Sequence, residues 1–179
     1  MKSLRNLLSC LLALALVPVS APAAGVQELM RSLPPKETVT EAEAVKSAAV
    51  LLGERAQAMN LAACEARLRE RHVLLETDKY DSKRTLTKGF AAMLFARGMG
   101  LKGGWAARLS RTPMGPRLAY KELEFLNMVP AMGTSDIMTG GELLSLLKLA
   151  QDHVRTEANE KLAKAEYKKK QKERYGHGQ

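Results

Sequence analysis

A stretch near the middle of the chain decides the fold class: residues 86–97 read LTKGFAAMLFAR. Thr87 is a preferred helix N-cap, and the apolar residues after it recur at helical spacing. The same pattern of an apolar residue, a Thr and a helical run occurs in VTEAEAV at 39–45 and in MTGGELL at 138–144. Each copy therefore predicts the start of an α-helix that is capped by its Thr, namely Thr40, Thr87 or Thr139.

The three copies have the spacing of an internal repeat. Their Thr residues lie 47 and 52 positions apart, and each copy follows a loop and an earlier helix with an apolar end. A unit of this kind buries little surface alone, whereas three stacked units can share one continuous core. The pattern predicts three helix–loop–helix units. The alternative is that the three stretches are not a repeat and are similar only because all capped amphipathic helices share this pattern.

These residues resemble S-layer homology repeats, modules of about 50 residues whose signature is an apolar–Thr–Arg–Ala–Glu turn that opens a second helix. Val39–Glu43 departs from the signature at Glu41, and Met138–Glu142 departs from it at Gly140. The copy at 86–90 keeps a basic residue, Lys88, but lacks the Glu. Over roughly residues 26–154, the resemblance implies a helical module that binds anionic cell-wall polymer in grooves between repeats. Only Lys88 matches the basic residue that the family uses.

The rest of the chain also has helical periodicity. We predict helices over Val26–Leu33, Met59–Leu75 and Ala119–Met128, and a longer one from Thr139 to about Tyr167 with a highly charged last third. Aromatic residues are few (one Trp, four Tyr and three Phe), which argues against an all-β sandwich. The composition therefore favours an all-α fold of short capped helices.

The first 23 residues have the order of a secretory signal peptide. Lys2 and Arg5 precede the apolar run Leu7–Val17, and Ala21-Pro22-Ala23 forms a small-residue cleavage site. Cys10 falls too early in the run for lipidation of a mature N-terminus. We therefore predict a signal peptide over 1–23, a helical domain over 24–154 and a basic helical tail over 155–179. The protein is expected in the periplasm or cell envelope, with no transmembrane span after cleavage.

The basic excess is local. Lys and Arg number 28 against 19 Asp and Glu, a formal net charge of +9. From Arg97 to Lys121 there are six basic residues and no acidic one, and 167–179 carry a net charge of +4. Export argues against nucleic acid as the partner, so we expect an anionic envelope polymer or lipid surface, or an envelope protein. The predicted ligand contacts are Lys88, Lys102, Trp105, Arg108 and Arg111, with tail contacts from Lys168, Lys169, Lys170, Lys172 and Arg174.

The sequence shows no pattern of a catalytic or metal site. None of His72, His153 and His177 lies in a metalloprotease or Cys–His motif, and no cofactor is predicted. Cys64 would be the one cysteine of the mature chain, predicted as a buried side chain, with an intermolecular disulfide as the alternative. The predicted function is non-enzymatic binding of an anionic envelope component. The alternative is a periplasmic adaptor whose apolar groove holds a partner protein, with an adaptable surface supplied by Met30, Met93, Met99 and Met128.

Overall fold

The structure is a computed structural model that describes residues 24–54, 60–101, 114–131 and 133–175. These residues form six α-helices and one short 3₁₀ turn at Glu76–Asp78, without a β-strand. The helices are α1 (Ala24–Ser32), α2 (Glu41–Leu51), α3 (Leu61–Glu70), α4 (Lys88–Gly98), α5 (Pro116–Phe125) and α6 (Gly140–Tyr175). The all-α prediction is therefore confirmed. Among the described residues, no helix combines the length and the apolar character that crossing a bilayer requires.

Helix α4 lies at the centre of the core. Every residue from Gly89 to Ala96 is buried, which is expected of a helix that is apolar on all sides. Helix α4 packs most extensively against α5, and it also contacts α2 and α6. The stretch that predicted the fold class therefore forms the helix against which α2, α5 and α6 pack.

The starts of α2, α4 and α6 are joined by backbone hydrogen bonds at corresponding positions. The amide of Glu41 donates to Arg84 O (3.0 Å), and the amide of Lys88 donates to Asp136 O (2.9 Å). The amide of Gly140 donates to Lys36 O (2.9 Å), which closes the ring. The residues before the three Thr caps, Val39, Leu86 and Met138, are all buried. The three starts therefore meet in one place, while a repeat of whole helix–loop–helix units stays a prediction.

Helices α3 and α5 have bounds that differ from those predicted, and α6 continues to Tyr175 instead of ending near Tyr167. Helix α3 ends at Glu70, because His72 takes a left-handed φ of +56° and the chain turns back to bury Val73 and Leu74. Helix α5 begins at Pro116, whose fixed φ suits the first helical position, and Asn127 ends the following turn with a φ of +56°. In both cases, apolar residues after the helix belong to a turn that packs against the core.

Helix α6 extends beyond the packed core. Its first part buries Leu143, Leu146, Leu147 and Ala150. From 154 to 168, every side chain except that of Glu157 is exposed. Ion pairs one turn apart, such as Glu160–Lys164 at 3.4 Å, lie along this exposed part and support an isolated helix weakly. The helix continues unbroken across the predicted domain boundary at residue 154, and that boundary stays a prediction.

Candidate functional site

A cavity of about 400 Å³ lies where the start of α4, the loop after α5 and the start of α6 come together. The hydroxyl of the buried Tyr120 donates to Pro130 O (2.9 Å) and thereby fixes the loop that forms one wall. Most of the lining is apolar, with polar groups at the start of α6. The lining residues are Lys88, Met128, Val129, Pro130, Met138, Thr139, Gly141, Glu142, Ser145 and Leu146.

Lys88 is the one basic side chain among the described residues of this lining. It follows the N-cap Thr87, whose hydroxyl oxygen accepts from the amide of Phe90 (3.3 Å). The ammonium Nζ lies 2.8 Å from Glu142 Oε1, and the Lys88 side chain is 17% exposed. The hydrogen bond to Glu142 raises the pKa of Lys88, although partial burial opposes this. The ammonium is therefore charged at neutral pH and holds a carboxylate at the cavity.

Glu142 has two roles, one for each carboxylate oxygen. Its Oε2 accepts from the amide (2.9 Å) and the hydroxyl (3.1 Å) of Thr139, while its own amide donates to the Thr139 hydroxyl oxygen (3.2 Å). This is a capping box at the start of α6. Partial burial raises the pKa of Glu142, but the bonds from Lys88 and Thr139 outweigh it, so the pKa is lowered overall. Glu142 is therefore held at the cavity by Thr139 as well as by Lys88.

In the other two copies, the position equivalent to Lys88 is occupied by Glu41 and by Gly140, and both residues have structural roles. Glu41 is buried, and its carboxylate accepts from Arg84 Nε (2.6 Å) and from the amide of Asp81 (3.0 Å). At Gly140, a Cβ atom would overlap the carbonyl group of Leu33 and could not be accommodated. Of the three corresponding positions, Lys88 is the one that presents a cation to a cavity.

Two described residues of the predicted basic segment, Arg97 and Lys121, have acidic partners. Arg97 is nearly buried, and its guanidinium pairs with Asp78 (2.6 and 3.2 Å) and donates to Met114 O (2.8 Å). Lys121 pairs with Glu124 at 2.7 Å on the surface of α5. Arg97, at one end of the basic segment, is therefore engaged within the fold, while a ligand-binding role of the segment stays a prediction. The remaining predicted contacts of this segment lie outside the described residues: Lys102, Trp105, Arg108 and Arg111.

The tail residues from Lys168 to Arg174 belong to the last turns of α6. Lys168 is exposed, far along the chain from the cavity-lining residues of the same helix. The side chains of Lys169, Lys170, Lys172 and Arg174 lie outside the described residues, although the backbone there is helical. Nothing among the described contacts brings the tail together with Lys88.

The methionines proposed as an adaptable surface have different positions. Met93 is buried in the core, and Met30 and Met99 are partly buried against it, so only Met128 lines the cavity. Cys64 is also buried, as predicted, and burial raises the pKa of its thiol. A buried thiol can form an intermolecular disulfide only if the chain around it opens.

Glu142 was not predicted from the sequence as the partner of Lys88. The spacing Thr139-x-x-Glu142 is that of a capping box, which indicates that Glu142 turns back towards the start of its own helix. The local sequence, however, does not indicate that the beginning of α6 lies beside Lys88, which precedes Glu142 by 54 positions.

Among the described residues, no group of three or more His, Cys, Asp or Glu side chains could hold a metal ion. The cavity offers one cation, one carboxylate, two residues with hydroxyl groups (Thr139 and Ser145) and otherwise a mainly apolar lining. Neither a protein-family model, nor a curated protein, nor a solved structure matches the chain.

Proposed function

We propose that this protein is exported and binds an anionic component of the bacterial cell envelope, without catalysing a reaction. Lys88 at the cavity carries the proposal, because it is the cation that the resemblance to S-layer homology repeats implies. The ring of hydrogen bonds among the starts of α2, α4 and α6 supports that resemblance, because it joins the three Thr-capped starts, and the cavity lies beside two of them. In this proposal, the basic end of α6 adds a second, weaker contact through Lys168 and the basic residues after it.

The apolar lining supports a second candidate, an adaptor that holds a partner protein. Met128, Val129, Pro130, Met138 and Leu146 form most of the wall and suit an apolar side chain better than a sugar hydroxyl. Salt separates the two functions. Binding through charge weakens strongly between low and high ionic strength, whereas apolar binding persists.

Co-sedimentation of the purified full chain with isolated envelope sacculi tests the proposal. We expect Lys88→Ala to weaken binding about tenfold, which corresponds to the loss of one charged hydrogen bond. The matched control is Lys36→Ala, because Lys36 also pairs with the capping carboxylate of a helix, Glu43, but does not line the cavity. Equal binding by both variants and the wild-type protein would refute the role of Lys88.

A further inference from the structure

The cavity already holds an anion of the chain itself at the position where a ligand anion would bind. Glu142 Oε1 lies 2.8 Å from Lys88 Nζ, the distance expected of a charge-assisted hydrogen bond to a carboxylate. The pair leaves no net charge at the cavity, so an incoming anion gains little from Lys88 until the bond between Lys88 and Glu142 breaks. Binding strength must therefore depend on Glu142 as well as on Lys88.

We propose that Glu142 occupies the position at which the ligand's anionic group binds, and that a carboxylate or phosphate of the ligand replaces Glu142 Oε1 as the partner of Lys88. This inference rests on the proposed function and identifies Glu142 as the residue that limits affinity and selects the ligand. The apolar remainder of the lining adds a second requirement, that the anionic group be attached to an apolar moiety.

The contacts of Glu142 allow this exchange. Its Oε2 keeps the amide and the hydroxyl of Thr139 when Lys88 moves, so the cap of α6 stays intact. The Glu142 side chain is 40% exposed, and the released oxygen can therefore be hydrated. The exchange breaks one partly exposed ion pair, a weak interaction in most proteins.

Glu142→Gln provides the decisive variant. The amide oxygen of Gln can still accept from Thr139, whereas the negative charge that competes with the ligand is removed. The matched control is Glu43→Gln, because Glu43 accepts from the Thr40 amide (2.8 Å) and hydroxyl (3.2 Å) and pairs with Lys36, but lies outside the cavity lining. The two variants should have similar unfolding temperatures, because each loses one charge and keeps the cap of its helix.

We expect Glu142→Gln to bind sacculi about twofold to fivefold more tightly than the wild-type chain, and Glu43→Gln to bind like the wild type. Competition by acetate or inorganic phosphate at matched ionic strength identifies the preferred oxyanion. If Lys88→Ala weakens binding but Glu142→Gln does not strengthen it, this inference is wrong and the proposed function stands. If binding is absent, or is unchanged in Lys88→Ala, the proposed function fails as well.

A measurement without envelope material tests directly whether Glu142 is the partner of Lys88 in the free protein. Removal of the Glu142 charge should lower the pKa of the Lys88 ammonium and increase its rate of acylation by an amine-reactive ester, as followed by peptide mass spectrometry. The acylation rate of Lys88 should be unchanged in Glu43→Gln, because Glu43 lies outside the cavity lining. An unchanged acylation rate at Lys88 in Glu142→Gln would show that Glu142 does not occupy the anion position at Lys88, irrespective of the result with sacculi.

Discussion

Replacement of Gly140 by alanine tests whether the ring of hydrogen bonds at the starts of α2, α4 and α6 holds the fold together. A Cβ atom at position 140 would lie 2.6 Å from the carbonyl carbon of Leu33 and would overlap its oxygen. Backbone atoms cannot rotate away as the end of a side chain can. The loop after α1 must therefore move, and the bond from the Gly140 amide to Lys36 O is lost or lengthened.

The expected cost follows from three contributions. Overpacking costs about 1–3 kcal/mol, and loss of a backbone hydrogen bond costs about 1 kcal/mol. The higher helix propensity of alanine returns up to about 1 kcal/mol. We therefore expect Gly140→Ala to lower the free energy of unfolding by about 2 kcal/mol, and to lower Tm by roughly 4–8 °C.

The adjacent glycine provides the control. A Cβ atom at Gly141 would meet nothing within 4 Å, so Gly141→Ala should gain helix propensity without a clash. Thermal unfolding followed by circular dichroism at 222 nm measures both variants under the same conditions. If Gly140→Ala is as stable as Gly141→Ala, the close approach of Leu33 to α6 does not exist and the ring does not close.

Three further predictions concern buried and paired groups. Asp78→Ala should lower the free energy of unfolding in urea by about 3 kcal/mol, because Arg97 is left nearly buried without its carboxylate; a change below 1 kcal/mol would contradict this. Burial raises the pKa values of Glu43 and Glu142, but their hydrogen bonds outweigh it, so both pKa values are lowered in the folded state. Both carboxylates therefore stabilise the fold above about pH 4, which is near the pKa of a carboxyl in the unfolded chain. This stabilisation is lost as the pH falls through the lower pKa values of the folded state. The double Gln variant should therefore lose less stability between pH 5 and pH 3 than the wild type, as measured by urea unfolding, and equal losses would be contrary evidence. Cys64 should react with a thiol reagent slowly in the native protein and fast in urea, because it is buried; equal rates would place it at the surface.

The helix starts could be predicted because their determinants are local. Thr87 and Thr139 accept a hydrogen bond from an amide three residues later, and Thr40 occupies the same cap position before α2. The ends of α3 and α5 were less predictable. At His72 and Asn127 the chain takes a left-handed turn, which is favourable there because apolar residues after the turn pack against the core.

The sequence by itself determined the helical class and the three capped starts, because these depend on residue type and on spacings of three to five positions. The choice of Lys88 as the cation of interest came from the resemblance to S-layer homology repeats. The tertiary structure decided what those positions do. It placed Glu142 against Lys88, buried Glu41 beside Arg84, and brought Leu33 too close to Gly140 for a side chain. These contacts join residues between 43 and 107 positions apart, and only the packing of the helices determines which of them meet.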